Sequence, residues 1–260
     1  MNKTKLKTSL FIVSSFLIPA IMMFFIYLSQ GIYWNSDTSP LLGDGYHQYV
    51  IFDTTLRNIL HGTDSLFYSF QSGLGINFYA LSSYYLGSFF SPLVYFFNAQ
   101  SMPDAVYLIT LLKFGAIGLS TYISLHGMFS KIPRSLVLTL STSFALMSFA
   151  ISQIEIKTWL DVFILAPLIL YGFKKLIYNE GEILYFISLT SLFIQNYYFG
   201  FMMSIFLILW YLTQLSWDIK GIGKRFFRFV IVSLLSVITS LVMLYPTFLD
   251  LRTHGESFSK

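Results

Sequence analysis

Residues Ile183–Leu215 read ILYFISLTSLFIQNYYFGFMMSIFLILWYLTQL, a run with no charged side chain. A helix crossing the hydrocarbon core needs about 20 apolar residues at a rise of about 1.5 Å each, so the run is long for one crossing and short for two. Taken as one helix, it would carry the basic stretch Lys220–Arg228 to the outer side. Lys and Arg instead concentrate on the cytoplasmic side of membrane proteins. A break at Asn196-Tyr197-Tyr198 keeps the cluster inside, so the charges predict two short spans, Ile183–Gln195 and Phe199–Leu215.

Five more spans follow the same logic, at Lys7–Leu28, Ala105–His126, Ser135–Ser152, Trp159–Ile177 and Phe229–Leu249. The chain has 260 residues, 55% of them hydrophobic and 11% charged, with mean hydropathy +0.68. That composition excludes an ordinary soluble domain. Since unpaired backbone groups are not tolerated in lipid, the expected fold class is all-α, a polytopic transmembrane bundle of about seven spans with the N-terminus inside. Eleven of the 16 basic residues then lie inside, from Lys3, Lys5 and Lys7 to Arg228. Arg57, Lys157, Arg252 and Lys260 lie outside, and Lys113 lies within a span. A cleaved signal peptide is the competing reading of the first span. Its apolar stretch is longer than a signal core and no small-x-small site follows Leu28, so a retained anchor helix is expected.

Absence of cysteine removes disulfides and thiolate chemistry. The net charge of +4 is the by-product of this topology and implies no nucleic-acid partner. No repeat or soluble linker divides the chain, which reads as one transmembrane domain over 1–260. It ends soon after the seventh span and is expected to be the N-terminal portion of a longer architecture.

The one long connection, Ser29–Asp104, is external and carries Asp37, Asp44, Asp53, Asp64 and Asp104 against the single Arg57. Within it, Tyr49, Phe52, Leu56, Ile59 and Leu60 recur at helical spacing. They predict an amphipathic interfacial helix over Tyr46–Leu60, stopped by His61-Gly62, with Asp53 and Arg57 paired at i,i+4. The aromatic run Phe78–Phe97 is long enough to cross. As one added crossing, however, it would place Lys131, Arg134, Lys174 and Lys175 outside. It is read as external, lying on or dipping into the outer leaflet, with a pair of short crossings as the alternative. Gly73, Gly75, Gly87, Pro92 and the tyrosines Tyr79, Tyr84 and Tyr85 suit that placement.

Candidate chemistry gathers on the outer side. Asp44, within Gly43-Asp44-Gly45-Tyr46-His47-Gln48-Tyr49, is positioned to take a proton from an incoming hydroxyl as general base. The bland reading is that Asp44 caps the helix behind it. His47 and Gln48 are supporting candidates, and Asp37 is the alternative carboxylate. Asp44 and His47 alone do not make a metal-ligand pattern. Lys113, near the middle of its span, is costly unless it faces protein, water or an anion, and a long stem that snorkels to the boundary is the plain alternative. Glu155 and Lys157 on a short outer turn read as solvated surface. Asp161 begins an apolar helix and is expected to point into the bundle, and Asn196 marks the other outer turn. Arg57, Lys113, Lys157 and Arg252 are the cations available for a lipid-linked phosphate.

Six segments together resemble the N-terminal part of the YfhO family of bacterial membrane proteins. They are GDGYHQYVIFDTTLRNIL (43–60), LFYSFQSGLGINFYALSSYYLGSFFSPL (66–93), LLKFGAIGLSTYISL (111–125), IKTWLDVFILAPLILYGFKKLI (156–177), QNYYFGFM (195–202) and YPTFLDL (245–251). That family is similar to the GT-C class of polyprenyl-phosphate-sugar-dependent glycosyltransferases. The resemblance implies a multi-pass protein of the bacterial plasma membrane and a catalytic carboxylate in the first external loop, at Asp44. It implies transfer of a sugar from an undecaprenyl-phosphate donor to a teichoic acid, lipoteichoic acid or glycolipid acceptor. It implies no organic cofactor and leaves a divalent cation as an open requirement. Two other readings stand beside it. A transporter or flippase would need a polar path reaching both faces. An inactive scaffold would need only that the Asp44 loop pack.

Overall fold

The computed structural model describes residues 3–71, 74–214 and 222–256; Gly73, Leu215, Lys220 and Lys260 of the expectations above lie outside them. Ten α-helices carry the described chain. They are α1 (Lys3–Ser29), α2 (Val50–Leu60), α3 (Phe78–Tyr85), α4 (Met102–Met128), α5 (Arg134–Ala145), α6 (Ser148–Ser152), α7 (Lys157–Ile177), α8 (Ile183–Gln195), α9 (Tyr197–Gln214) and α10 (Ile222–Glu256). A π-helical turn at Gly45–Tyr49 leads into α2, and a 3₁₀ turn at Ser91–Phe96 precedes α4. The architecture is a helical membrane bundle.

Four stretches are long and apolar enough to cross a membrane: Thr8–Ser29, Met102–Met128, Arg134–Ser152 and Gly223–Thr253. The shorter apolar helices Ile183–Gln195 and Tyr197–Thr213 are separate, and the break falls at Asn196, whose backbone is extended (φ −157°, ψ 99°). The charge argument for two segments therefore agrees with the backbone. The third expected span is divided into α5 and α6, because Met147 adopts an extended ψ of 146° between them. Phe78–Phe97 forms no single crossing. It supplies only the eight-residue α3 and the 3₁₀ turn, both too short to span.

The outward faces of the long helices carry large apolar side chains, among them Phe25, Phe201, Leu209, Leu234 and Ile238. This is the pattern of a bundle whose solvent is lipid. Core packing is divided between two clusters. One joins α7, α8, α9 and α10 around Ile169, Phe173, Leu189 and Leu207. The other joins α1, α4, α7 and the α5–α6 segment around Met23, Phe114, Ile117 and Leu160.

Close approach of α1 to α4 depends on small residues. A Cβ at Gly118 would collide with the Ser15 carbonyl and the Pro19 ring, and one at Gly115 would press on the Phe16 ring at 2.9 Å. The long connection between α1 and α4 is folded onto the same helices. Its α2 packs on the 3₁₀ turn and α4, while α3 packs on α10, α8 and α9. Tyr79 donates to the Val242 carbonyl at 2.9 Å, and Thr247 donates to Ser83 at 2.7 Å.

Candidate functional site

The amphipathic stripe of the loop is as its spacing predicts. Tyr49 and Phe52 are buried, Leu56 and Ile59 partly so, and Leu60 is exposed. His61 ends α2, and Gly62 follows at φ +76°, a left-handed conformation that costs glycine little. The expected Asp53–Arg57 pair does not form. Asp53 faces inward from α2 and is wholly buried, where it accepts from Lys157 at the start of α7. Arg57 lies one turn on and donates instead to the Phe97 carbonyl at 3.0 Å and to Asn58 at 3.1 Å. A helix-local partner for Asp53 is outcompeted because a carboxylate removed from water needs a cation that is removed with it.

Beside this pair lies a second one. Lys113, fully buried on α4, donates to Asp161 on α7 at 2.6 Å and to the Lys157 carbonyl at 2.8 Å. Asp161 also accepts from Ser88, in the loop after α3, at 2.8 Å. Tyr49 and Thr158 share a hydrogen bond of 2.9 Å, and the Lys157 ammonium sits 5.6 Å from the Tyr49 ring centre. Burial pushes the Tyr49 phenol upward, so it stays a neutral hydroxyl. Four buried charges thus tie α2 and the α3 loop to α4 and α7.

Lys113 therefore does not snorkel, and Lys157 is not solvated surface as its turn suggested, being only 2% exposed. Asp161 points into the bundle as expected. Asp53, Ser88, Tyr49 and Thr158 were not among the site candidates read from the sequence. The readable signal for Asp53 was a carboxylate in the middle of the apolar stripe Tyr49, Phe52, Leu56.

Asp44 stands at the edge of this assembly, exposed and immediately before the π-helical turn. Its side chain makes no capping bond to that turn. It accepts instead from Gln48 at 3.2 Å. Gly43 is left-handed (φ +45°), and a Cβ there would collide with the carboxylate of Glu155. Asp44 is thus held in a turn pressed against Glu155.

His47 is exposed and meets Tyr46 edge-on at 5.3 Å. Asp37 is exposed in the preceding loop, and Arg252 is exposed near the end of α10. Asn196 is buried; its amide oxygen accepts from the Phe199 N–H at 3.1 Å, and its amide nitrogen has no partner. The structure brings Asp44, Gln48 and Glu155 together, and Lys113, Lys157, Asp53 and Asp161 together. Arg57 and Arg252 are separate from the buried network. No group of three or more His, Asp or Glu side chains converges to hold a metal among the described residues. Asp44 and Glu155 alone are too few donors for a cation cage.

A family model described as bacterial membrane protein YfhO matches residues 14–260. The chain belongs to the YfhO family. No curated protein and no solved structure matches this YfhO chain. The matched stretch begins inside α1 and runs through the Asp44 turn, both buried ion pairs and α10.

Proposed function

We propose that this YfhO protein is a membrane glycosyltransferase of the bacterial plasma membrane, working on its outer face. It moves a sugar from an undecaprenyl-phosphate-linked donor to a cell-envelope acceptor, a teichoic or lipoteichoic acid or a glycolipid. The observation that carries the reading is the Asp44 turn: an exposed carboxylate, uncommitted to capping, on a loop anchored to the bundle by buried ion pairs. Rigid support with an accessible acidic group is what a general base requires.

In this scheme Asp44 takes the proton of the acceptor hydroxyl as its oxygen bonds to the anomeric carbon. The bond from that carbon to the phosphate oxygen breaks, and the lipid phosphate leaves with the electron pair. Gln48, bonded to Asp44, positions the carboxylate. Lys113 and Lys157 are committed to Asp161 and Asp53, so the donor phosphate falls to Arg57. Arg57 has guanidinium N–H groups beyond those bonded to Phe97 and Asn58.

The transporter reading lacks a comparable support. The buried Asp and Lys side chains among the described residues sit in the single network beside the external loop, whereas the polar side chains buried on α8 to α10, among them Ser188, Gln195, Asn196, Ser236 and Ser240, are uncharged. The test is transfer of labelled sugar to envelope polymers by membranes containing the protein or its Asp44→Asn variant at matched levels. Loss of transfer in the variant supports the base. Equal transfer by both removes Asp44 from the chemistry, and no transfer by the parent favours the scaffold.

A further inference from the structure

A groove of about 550 Å³ runs between α8 and α10 and changes character along its length. At one end stand Asn179 and Glu182, in the connection from α7 to α8, with Lys224 and Arg228 from the first two turns of α10. Arg228 donates to Asn179 at 2.6 Å and to Glu182, which holds the guanidinium in place and leaves it N–H groups to spare. Lys224 is exposed, and among the described residues its ammonium has no hydrogen-bond or ion-pair partner. This end of the groove therefore holds two cations against one carboxylate. Further along, Phe227, Ile231 and Leu235 recur at every fourth residue of α10, a strip of about 12 Å at a rise of about 1.5 Å per residue, with Ile183 and Phe186 of α8 in the other wall. Phe227 is 67% exposed and Leu235 48%, so the described chain leaves the strip uncovered.

We propose that this groove binds one anionic glycerophospholipid, its phosphate between Lys224 and Arg228 and an acyl chain along Phe227, Ile231 and Leu235. Residues four apart on a helix share a face, so both cations reach a single phosphate. Basic pockets between transmembrane helices recognise anionic head groups in this way. A zwitterionic phospholipid brings its own cation and gains less from a site with one positive charge in excess. Inorganic phosphate has the charge and nothing to cover the apolar strip. The groove begins beyond the last turn of α7, whereas the Asp44 turn touches Glu155 just before the first, so the inference is independent of the role of Asp44.

Native mass spectrometry of the full chain in detergent, titrated with phosphatidylglycerol, phosphatidylcholine, undecaprenyl phosphate or inorganic phosphate, tests this. Phosphatidylglycerol is expected to bind more tightly than phosphatidylcholine, and neither phosphate compound is expected to displace it. Lys224→Gln removes an exposed charge that has no partner, so folding should be unaffected while phosphatidylglycerol binding weakens about fivefold, the loss of one basic contact. Lys131→Gln makes the same charge change on the exposed turn between α4 and α5 and is expected to leave binding as it is. Ile231→Trp fills the apolar strip without changing the charge and is expected to weaken binding as well; should that variant fail to fold, the two lysine variants decide. Equal affinity for the two phospholipids, equal losses in Lys131→Gln and Lys224→Gln, no loss in Lys224→Gln, or displacement by either phosphate compound overturns the proposal.

Discussion

Lys113 on α4 and Asp161 on α7 meet at 2.6 Å with no solvent around the lysine, and the same ammonium bonds the Lys157 carbonyl one turn earlier on α7. This contact joins two of the helices on which the long α1–α4 connection rests. Its partner pair, Lys157 with Asp53, carries the connection into α2. Breaking either pair leaves a buried charge unpaired, whereas removing both partners does not.

Lys113→Met alone is expected to destabilise the protein by about 3–5 kcal/mol, because Asp161 is then buried without its cation. The double variant Lys113→Met with Asp161→Leu should recover most of that loss. Thermal unfolding in detergent, compared across the single and double variants, checks it. An equal loss in the double variant would show that the pair itself, not the orphaned charge, carries the stability.

Asp53→Asn is expected to loosen the α1–α4 connection while leaving the helical core folded, since α2 reaches α7 through this carboxylate. Protease sensitivity or hydrogen exchange within residues 45–60 should rise. Arg57→Gln, which removes the partner once expected for Asp53, should leave the Asp53 to Lys157 contact intact and protect those residues better than Asp53→Asn does.

Asp44→Asn is expected to lower sugar transfer by about 10²–10⁴-fold, the range of a general base, with stability changed by less than about 0.5 kcal/mol because the side chain is exposed. Transfer rate and unfolding temperature measured on one preparation separate the two effects. A fall in both together would assign Asp44 to the architecture.

Gly87→Ala is expected to prevent the α3 loop from seating. A Cβ there would lie 2.5 Å from the Gln195 Cα and 2.7 Å from the Ile194 carbonyl oxygen, and backbone cannot move aside as a side chain can. Ser88 would be drawn away from Asp161 as a result. Folded yield after detergent extraction, compared with Gly223→Ala, where a Cβ meets open space, gives the measurement.

Stability should fall at alkaline pH. Burial raises the Tyr49 phenol above its ordinary 10.0, so the folded state keeps a proton that the unfolded chain releases. This contribution is complete below pH 10 and is lost as pH rises beyond it. Tyr49→Phe should be less stable than the parent at neutral pH by about 1 kcal/mol, the Thr158 bond, and should show a shallower alkaline decline. Parallel curves for the two proteins would remove Tyr49 as the cause.

The class of fold, the break at Asn196 and the amphipathic loop helix were legible in the residues themselves. Crossing length, charge bias across a membrane and helical spacing are properties of local sequence, and lipid permits few other solutions. The outward lean of Asp44 was equally local, since a polar turn between apolar stretches has nowhere else to go. The partners of the buried charges were decided only by tertiary structure. Asp53 had an arginine four residues away and chose a lysine 104 positions distant, and Lys113 found Asp161 48 positions on. Nothing in spacing along the chain measures how deeply two groups are desolvated together. That quantity depends on how α2, α4 and α7 pack, and it sets which cation each carboxylate takes. A cavity between α3, α9 and α10 has the same origin, because Tyr84, Tyr197 and Asp250 line it together only when α3 lies against α9 and α10.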